Sequence, residues 1–214
     1  MKKLFFIALP ILFSHFGNAQ SFNYTFSQSS GTFSSLTGGT TVASGSQWNS
    51  RGYKVPVGFS FTMQGKNYDT VIVAPNGFIL FGNDNSRAIA TFKGITAQSN
   101  STISYLSGGG ILKIEFANVG FGSSASDNFN FQVWLIQSGN LIEFHTGSTN
   151  LNTAQDSLIM PIAGVINPSM DKNTNGYLIT GNPSSAQAQS LGTGNLSYMI
   201  RVPDPNTVYK LTPQ

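Results

Sequence analysis

Short apolar segments recur along almost the whole sequence, each bounded by Gly, Asn, Pro, Ser or Asp, and this punctuation is what most limits the fold. Phe22, Tyr24 and Phe26 alternate with polar neighbours, and Val55, Val57, Phe59 and Phe61 do the same. Period-two patterning builds half-buried strands, and no stretch repeats its apolar residues at helical spacing. The pattern predicts strands at 22–26, 40–43, 53–61, 70–74, 78–81, 103–106, 111–116, 129–136, 141–146, 162–166, 176–180, 198–202 and 207–211. Pro56 marks 53–61 as an edge strand or the site of a bulge. The loops 82–101, 117–128, 147–158 and 181–195 are long and polar. The expected fold class is all-β, an antiparallel β-sandwich or jelly roll of lectin-like type, formed as one domain by residues 20–214.

Two hairpins fix the expected register. Asn76-Gly77 supplies the positive φ angles of a type I′ turn, which would pair Ala74 with Ile79 and Ile72 with Phe81, with apolar residues on both faces. Gly139-Asn140 reads as a type II′ turn pairing Leu135 with Phe144, Ile136 with Glu143 and Trp134 with His145. That hairpin turns Phe129, Phe131, Val133, Leu135, Ile142 and Phe144 inward. If 111–116 is the neighbouring strand, Leu112, Ile114 and Phe116 also point inward, and one outer face carries Glu115, Gln132, Trp134, Glu143 and His145.

The N-terminus reads as an address. Met1-Lys2-Lys3 precedes an apolar run over residues 4–13, and Gly17-Asn18-Ala19 offers small residues for a cut after Ala19. This is the order of a secretory signal peptide, assigned here to residues 1–19. No stretch reaches the roughly 20 apolar residues that a membrane-spanning helix needs. Losing Lys2 and Lys3 leaves 9 basic residues against 8 acidic ones, a net charge of +1. So even a charge balance gives no basic stripe for nucleic acid. The chain has no cysteine, which excludes disulfides, a lipid anchor on Cys, thiolate ligands and a cysteine nucleophile.

Several chemistries fail on inventory. His145 is the only histidine after residue 19, too few for a zinc site and a poor base on a strand without a nucleophile elbow. No glycine-rich loop is followed by Lys and Ser or Thr, as a nucleotide phosphate cradle requires. Asp171-Lys172-Asn173-Thr174-Asn175-Gly176 matches the first half of a calcium loop, with Asp171, Asn173 and Asn175 as candidate ligands. Its twelfth position is Asn182 rather than a bidentate Glu, so an Asx-rich turn is the expectation and no cofactor other than calcium comes into question.

The outer face is the main candidate for binding. An indole can stack on a pyranose ring while carboxylates and amides take up its hydroxyls, so Trp134, Glu143, His145, Glu115 and Gln132 would form a sugar platform. Glu115 and Glu143 could alternatively be the acid and nucleophile of a glycosidase, and a solvated face of cross-strand pairs is the plainest reading. An eight-stranded outer-membrane barrel has about this length, but needs strands of roughly 9–11 residues, longer than most predicted here.

The order of several segments carries a resemblance. Gly58-Phe59-Ser60-Phe61, Gly65-Lys66-Asn67-Tyr68, residues 73–82 with Pro75-Asn76-Gly77, residues 114–120, residues 130–135 and residues 141–147 together resemble an N-terminal β-sandwich module of secreted and surface proteins of Bacteroidota. That module is associated with type IX secretion and commonly precedes a C-terminal sorting domain, which is not seen before Gln214. The resemblance spans roughly residues 22–211 and supplies no catalytic residues. It implies a non-catalytic binding domain in the periplasm, at the cell surface or outside the cell, with a glycan or an envelope protein as partner. In the same setting, Asp69-Thr70-Val71 and Asp156-Ser157-Leu158 resemble a short O-glycosylation signal, and Ser157, in a predicted loop, is the accessible acceptor. Mass spectrometry of the exported protein is expected to find Gln20 as its first residue; an intact Met1 would refute the leader.

Overall fold

The computed structural model describes residues 23–83, 86–92, 94–121, 126–151, 161–167, 176–191 and 198–214. The expected leader, Ser157 and the loop of Asp171, Asn173 and Asn175 lie outside the described residues. The strands are β1 (Tyr24–Ser30), β2 (Thr40–Ser44), β3 (Tyr53–Met63), β4 (Lys66–Ala74), β5 (Phe78–Phe81), β6 (Ala88–Thr91), β7 (Ile95–Thr96) and β8 (Thr102–Gly108). They continue as β9 (Ile111–Phe121), β10 (Asn128–Ile136), β11 (Leu141–Asn150), β12 (Ala163–Ile166), β13 (Gly176–Thr180), β14 (Gln187–Ser190) and β15 (Thr207–Pro213).

Two antiparallel sheets form a β-sandwich, as the strand pattern predicts. The larger sheet runs β1-β15-β11-β10-β9-β8-β2, with β7 also paired to β9, and the other runs β14-β13-β12-β6-β5-β4-β3. Two open sheets are not a closed barrel, which overturns the outer-membrane barrel alternative. Among the described residues, no helix is long and apolar enough to cross a membrane. The core lies between the sheets. Phe116, Phe129, Phe131, Val133, Leu135, Ile142 and Phe144 from the larger sheet meet Val55, Phe61, Val71, Val73, Ile79, Phe81 and Ile89 from the smaller. Phe92, from the end of β6, stands edge-on against Phe129, Phe131 and Phe144, with ring centroids 5.2, 5.0 and 6.0 Å apart. Edge-to-face packing sets the positive ring rim against a negative ring face, and it holds Phe92 at φ 55°, a left-handed value that bulky residues avoid.

Both hairpin registers differ from expectation. At 74–78 the turn is three residues long: Ala74 pairs with Phe78, Gly77 N–H donates to Ala74 O at 3.2 Å, and only Gly77 takes positive φ. Pro75 fixes a negative φ suited to a type I turn, and Gly77 closes it as a bulge, so the type I′ geometry is excluded. The one-residue slip pairs Val71 with Phe81 and Val73 with Ile79 on the core side, and leaves Ile72 and Ala74 on the other face opposite Leu80 and Phe78. Ala74 and Leu80 pack with Phe78, Ala88, Ala90, Ile162, Ile166 and Leu178 in a second apolar cluster, so both faces of the hairpin are indeed apolar. At the other hairpin, Ser138–Asn140 forms a short 3-10 turn and Ile136 pairs with Leu141. This register is two residues from the expected one, and an even slip leaves every side chain on its predicted face.

The expected strand 198–202 is absent as a strand; only Met199 forms an isolated bridge, with Gly181. Conversely, β6, β7 and β14 occupy segments that read as loops. A bulge interrupts both ladders of β10, between Phe129 and Phe131. Asn130 fills the gap: its amide oxygen accepts Asn118 N–H at 2.9 Å, and its nitrogen donates to Ser148 O at 3.0 Å. Side-chain amides thus replace the ladder bonds that the bulge removes.

The sandwich is tied along both lateral edges. Gln28 on β1 donates to Pro183 O at 2.8 Å and accepts Ala186 N–H at 3.0 Å, just before β14. Opposite, Asn140 Oδ1 accepts Thr62 N–H of edge strand β3 at 2.8 Å, and Ser107 Oγ donates to Val57 O at 2.6 Å. Replacing the buried Phe92 with Ala is expected to destabilise the fold by about 3–5 kcal/mol, measured as a shift of the urea unfolding midpoint.

Candidate functional site

The five candidate residues share the outer face of the larger sheet. Glu115 on β9 lies opposite Gln132 on β10, and Gln132 lies opposite His145 on β11. Lys113 and Glu143 flank Trp134 in the next row, and Lys210 on β15 lies opposite Glu143. A third row holds Ile111, Ile136 and Leu141.

The first row is covered by the chain itself. Strands β1 and β2 follow one another in sequence but sit at opposite ends of the larger sheet, so residues 31–39 cross its outer face. The crossing can be followed strand by strand. Gly31 N–H donates to Asn206 O at 2.9 Å beside β15, and Phe33 N–H donates to Asn206 Oδ1 at 3.0 Å. The Phe33 ring lies over Gly147 of β11, where an added Cβ would come within 2.7 Å of it. Ser34 O accepts from Gln132 Nε2 on β10 at 2.7 Å, and Leu36 N–H donates to Glu115 Oε2 on β9 at 3.0 Å. Gly39 then passes so close to Tyr105 O on β8 that a Cβ would lie 2.8 Å away. This strap leaves Glu115 6% and Gln132 1% exposed.

The polar groups beneath the strap are all engaged. Gln132 Nε2 also donates to Glu115 Oε2 at 2.5 Å, and Trp134 Nε1 donates to Gln132 Oε1 at 2.8 Å. Burying these groups is tolerable only because each has a partner.

Trp134 is enclosed on both faces. The His145 ring stacks on the indole with centroids 3.9 Å apart and planes 19° apart, and Lys113 Nζ stands 3.8 Å from the indole centroid. Two groups at that height cannot share one ring face, and they arrive from β11 and β9, which flank β10 on either side. The indole therefore lies between an imidazole and an ammonium, a stacked and cation–π arrangement that leaves no ring face for a pyranose.

The two glutamates are separately employed. His145 Nε2 donates to Glu143 Oε2 at 2.9 Å, and Lys210 Nζ lies 3.7 Å from Glu143 Oε1. The hydrogen bond from His145 holds the Glu143 carboxyl below its usual 4.5, with the positive charges of His145 and Lys210 adding to it against the opposing effect of burial. Glu115 and Glu143 have β10 between them and are offset by two residues along it, a Cα separation of about 12 Å from strand spacing and rise. Glycosidase carboxyls face one another across an open sugar site, whereas Glu115 is buried beneath the strap.

A family model described as NIDO related matches residues 23–213. The chain belongs to the NIDO-related family. The match spans the whole β-sandwich and marks the protein as a binding domain of extracellular type. No curated protein and no solved structure matches the chain.

In this NIDO-related domain, sequence reasoning brought the five outer-face residues together but missed what surrounds them. Lys113 shares the face because it alternates with Glu115, yet its seat on Trp134 depends on a cross-strand register that no single strand reveals. The strap had only its glycines, Gly31, Gly38 and Gly39, as a signal. Among the described residues, no three His, Cys, Asp or Glu side chains are grouped to hold a metal.

The Glu143 carboxylate is favoured in the folded state, so its contribution to stability is fully present above 4.5 and is lost as pH falls through its lower folded value. Acid titration of the urea midpoint should show this loss in the native NIDO-related domain and a shallower slope below pH 4.5 in Glu143→Gln.

Proposed function

We propose that this NIDO-related domain is exported and acts without catalysis, holding a protein of the bacterial envelope or cell surface on the outer face of its larger sheet. The leader-like residues 1–19 support the export, and the resemblance of its strand segments to surface modules of Bacteroidota supports the setting. The observation that carries the choice of a protein partner over a free sugar is the enclosure of Trp134 between His145 and Lys113. Stacking chemistry is used up inside the fold, as are the amide and carboxylate of Gln132 and Glu115.

What the face still offers is apolar. Ile111, Ile136 and Leu141 are half-buried in one row, and Leu106 on β8, opposite Lys113 in the adjoining row, is 38% exposed. Lys113 and Lys210 border this row. A strip of aliphatic side chains edged by cations suits a protein surface, which supplies apolar contacts and carboxylates together.

A glycan array and a capture of labelled envelope proteins, run side by side on the purified chain, separate the readings. The expected result is a blank array and captured protein that is lost in Ile136→Asp and kept in Trp134→Phe. Array binding that disappears in Trp134→Ala would replace this reading with carbohydrate recognition.

A further inference from the structure

One peptide bond is set apart by its neighbours. Asp204-Pro205 is the one place in the sequence where an aspartate precedes a proline. It lies in the exposed turn that leads into β15. The carboxyl of such an aspartate can close a five-membered ring onto its own main-chain carbonyl carbon. The nitrogen that would leave belongs to a tertiary amide, which takes a proton more readily than an ordinary peptide nitrogen. The sequence alone therefore makes this bond labile in acid.

The fold adds two opposed features. The Asp204 carbonyl oxygen accepts from Thr146 Oγ1 on β11 at 2.7 Å, the nearer of two acceptors for that hydroxyl; Thr207 O, at 3.1 Å, is the other. Thr207 N–H is likewise shared between Asp204 O at 3.3 Å and Thr146 Oγ1 at 3.1 Å. Thr146 is fully buried, so water does not compete for its hydroxyl. Donors fixed on a carbonyl oxygen stabilise the negative charge it gains when its carbon is attacked. The nucleophile, by contrast, is held off. Arg201 grips both carboxyl oxygens, Nη1 donating to Oδ1 at 2.7 Å and Nη2 to Oδ2 at 3.1 Å. That hydrogen bonding, with the guanidinium charge adding to it against the effect of burial, holds the Asp204 carboxyl below its usual 3.8. Thr146, Asn206 and Thr207 bring no charge to the site. Tyr209 on β15 feels both Arg201 and Asp204, but burial is the main cause that pushes its hydroxyl up.

We infer that the Asp204-Pro205 bond is a self-cleavage site, readied at its carbonyl by Thr146 and Thr207 and restrained by Arg201. In the step, a carboxyl oxygen of Asp204 bonds to the Asp204 carbonyl carbon. The bond from that carbon to the Pro205 nitrogen breaks, and the carboxyl proton passes to the departing nitrogen. Water then opens the cyclic anhydride, leaving Asp204 with a free α-carboxyl and Pro205 with a free amine. The proton explains the restraint: while Arg201 keeps the carboxyl ionised there is none to give, and stronger acid supplies it.

The cut is a nick, with both pieces kept in the fold. Residues 205–214 include β15, which pairs along its length with β1 and over four residues with β11, and Val208, Tyr209 and Leu211 are buried. Asn206, two residues past the bond, anchors the strap through Gly31 and Phe33, so the nick loosens the fixed end of that crossing. The inference does not depend on the partner proposed for the outer face.

The test compares the full chain, Arg201→Ala, Arg201→Ala/Thr146→Val and a synthetic peptide of residues 199–210, all incubated at pH 3.8, the ordinary aspartate value. Circular dichroism at that pH checks that each protein is folded. Intact mass under denaturing conditions reads cleavage as the ten-residue fragment 205–214, the two pieces together outweighing the chain by one water. The native chain is expected to cleave more slowly than the peptide, and Arg201→Ala about tenfold faster than the peptide. Adding Thr146→Val returns the rate to the peptide's, whereas Thr146→Ser in its place keeps the gain.

Arg201→Ala cleaving no faster than the peptide overturns the inference, as does a gain that survives Thr146→Val. A native chain that cleaves as fast as Arg201→Ala overturns the part given to Arg201. Where the alanine variant does not fold, Arg201→Lys, which keeps the charge and loses the two-pronged grip, takes its place under the same outcomes.

Discussion

Sequence neighbours at opposite ends of one sheet impose the constraint from which much of this structure follows. Because β1 and β2 bound the larger sheet, the nine residues between them must run across its outer face. A chain crossing a sheet brings its own backbone donors and acceptors, and these need partners once water is excluded. Gln132 and Glu115 provide them, and so become buried although they lie on the solvent side of the sheet. The crossing also dictates where side chains must be missing. Gly147 admits the Phe33 ring, and Gly39 admits the strap to the Tyr105 carbonyl.

The central row of the same face is organised by charge and stacking. Trp134 presents two negative ring faces, and the Lys113 ammonium and the His145 ring occupy them, while Glu143 accepts from His145 and lies 3.7 Å from Lys210 Nζ. This group orders the middle of the sheet's outer surface and leaves the aliphatic row at the turn end as the chemically unspent part.

How much of this was legible depended on the parity of each error. The alternation in 129–136 and 141–146 named the core face correctly even though the turn at Gly139-Asn140 is longer than expected, because the register moved by two. At Pro75-Asn76-Gly77 the register moved by one, so Val73 rather than Ala74 lies opposite Ile79 and Val71 rather than Ile72 opposite Phe81. The missed strands lack the usual marks. Ala88–Thr91 contains small residues, and Gln187–Ser190 is a polar edge, each held by neighbours rather than by its own propensity. Five outer-face residues could be grouped from local pattern alone. Their burial and saturation could not, since the strap that covers Glu115 comes from nearly eighty positions earlier in the chain.

The side-chain ties to β3 bear on how the protein survives at high local concentration. An outermost strand normally exposes a row of amide and carbonyl groups that any unfolded or foreign chain can pair with. Here Asn140 and Ser107, reaching over from the other sheet, occupy Thr62 N–H and Val57 O, and the bulge after Pro56 breaks the rest of the row. Such ties make that flank a poorer template for the edge-to-edge pairing by which β proteins turn into fibres.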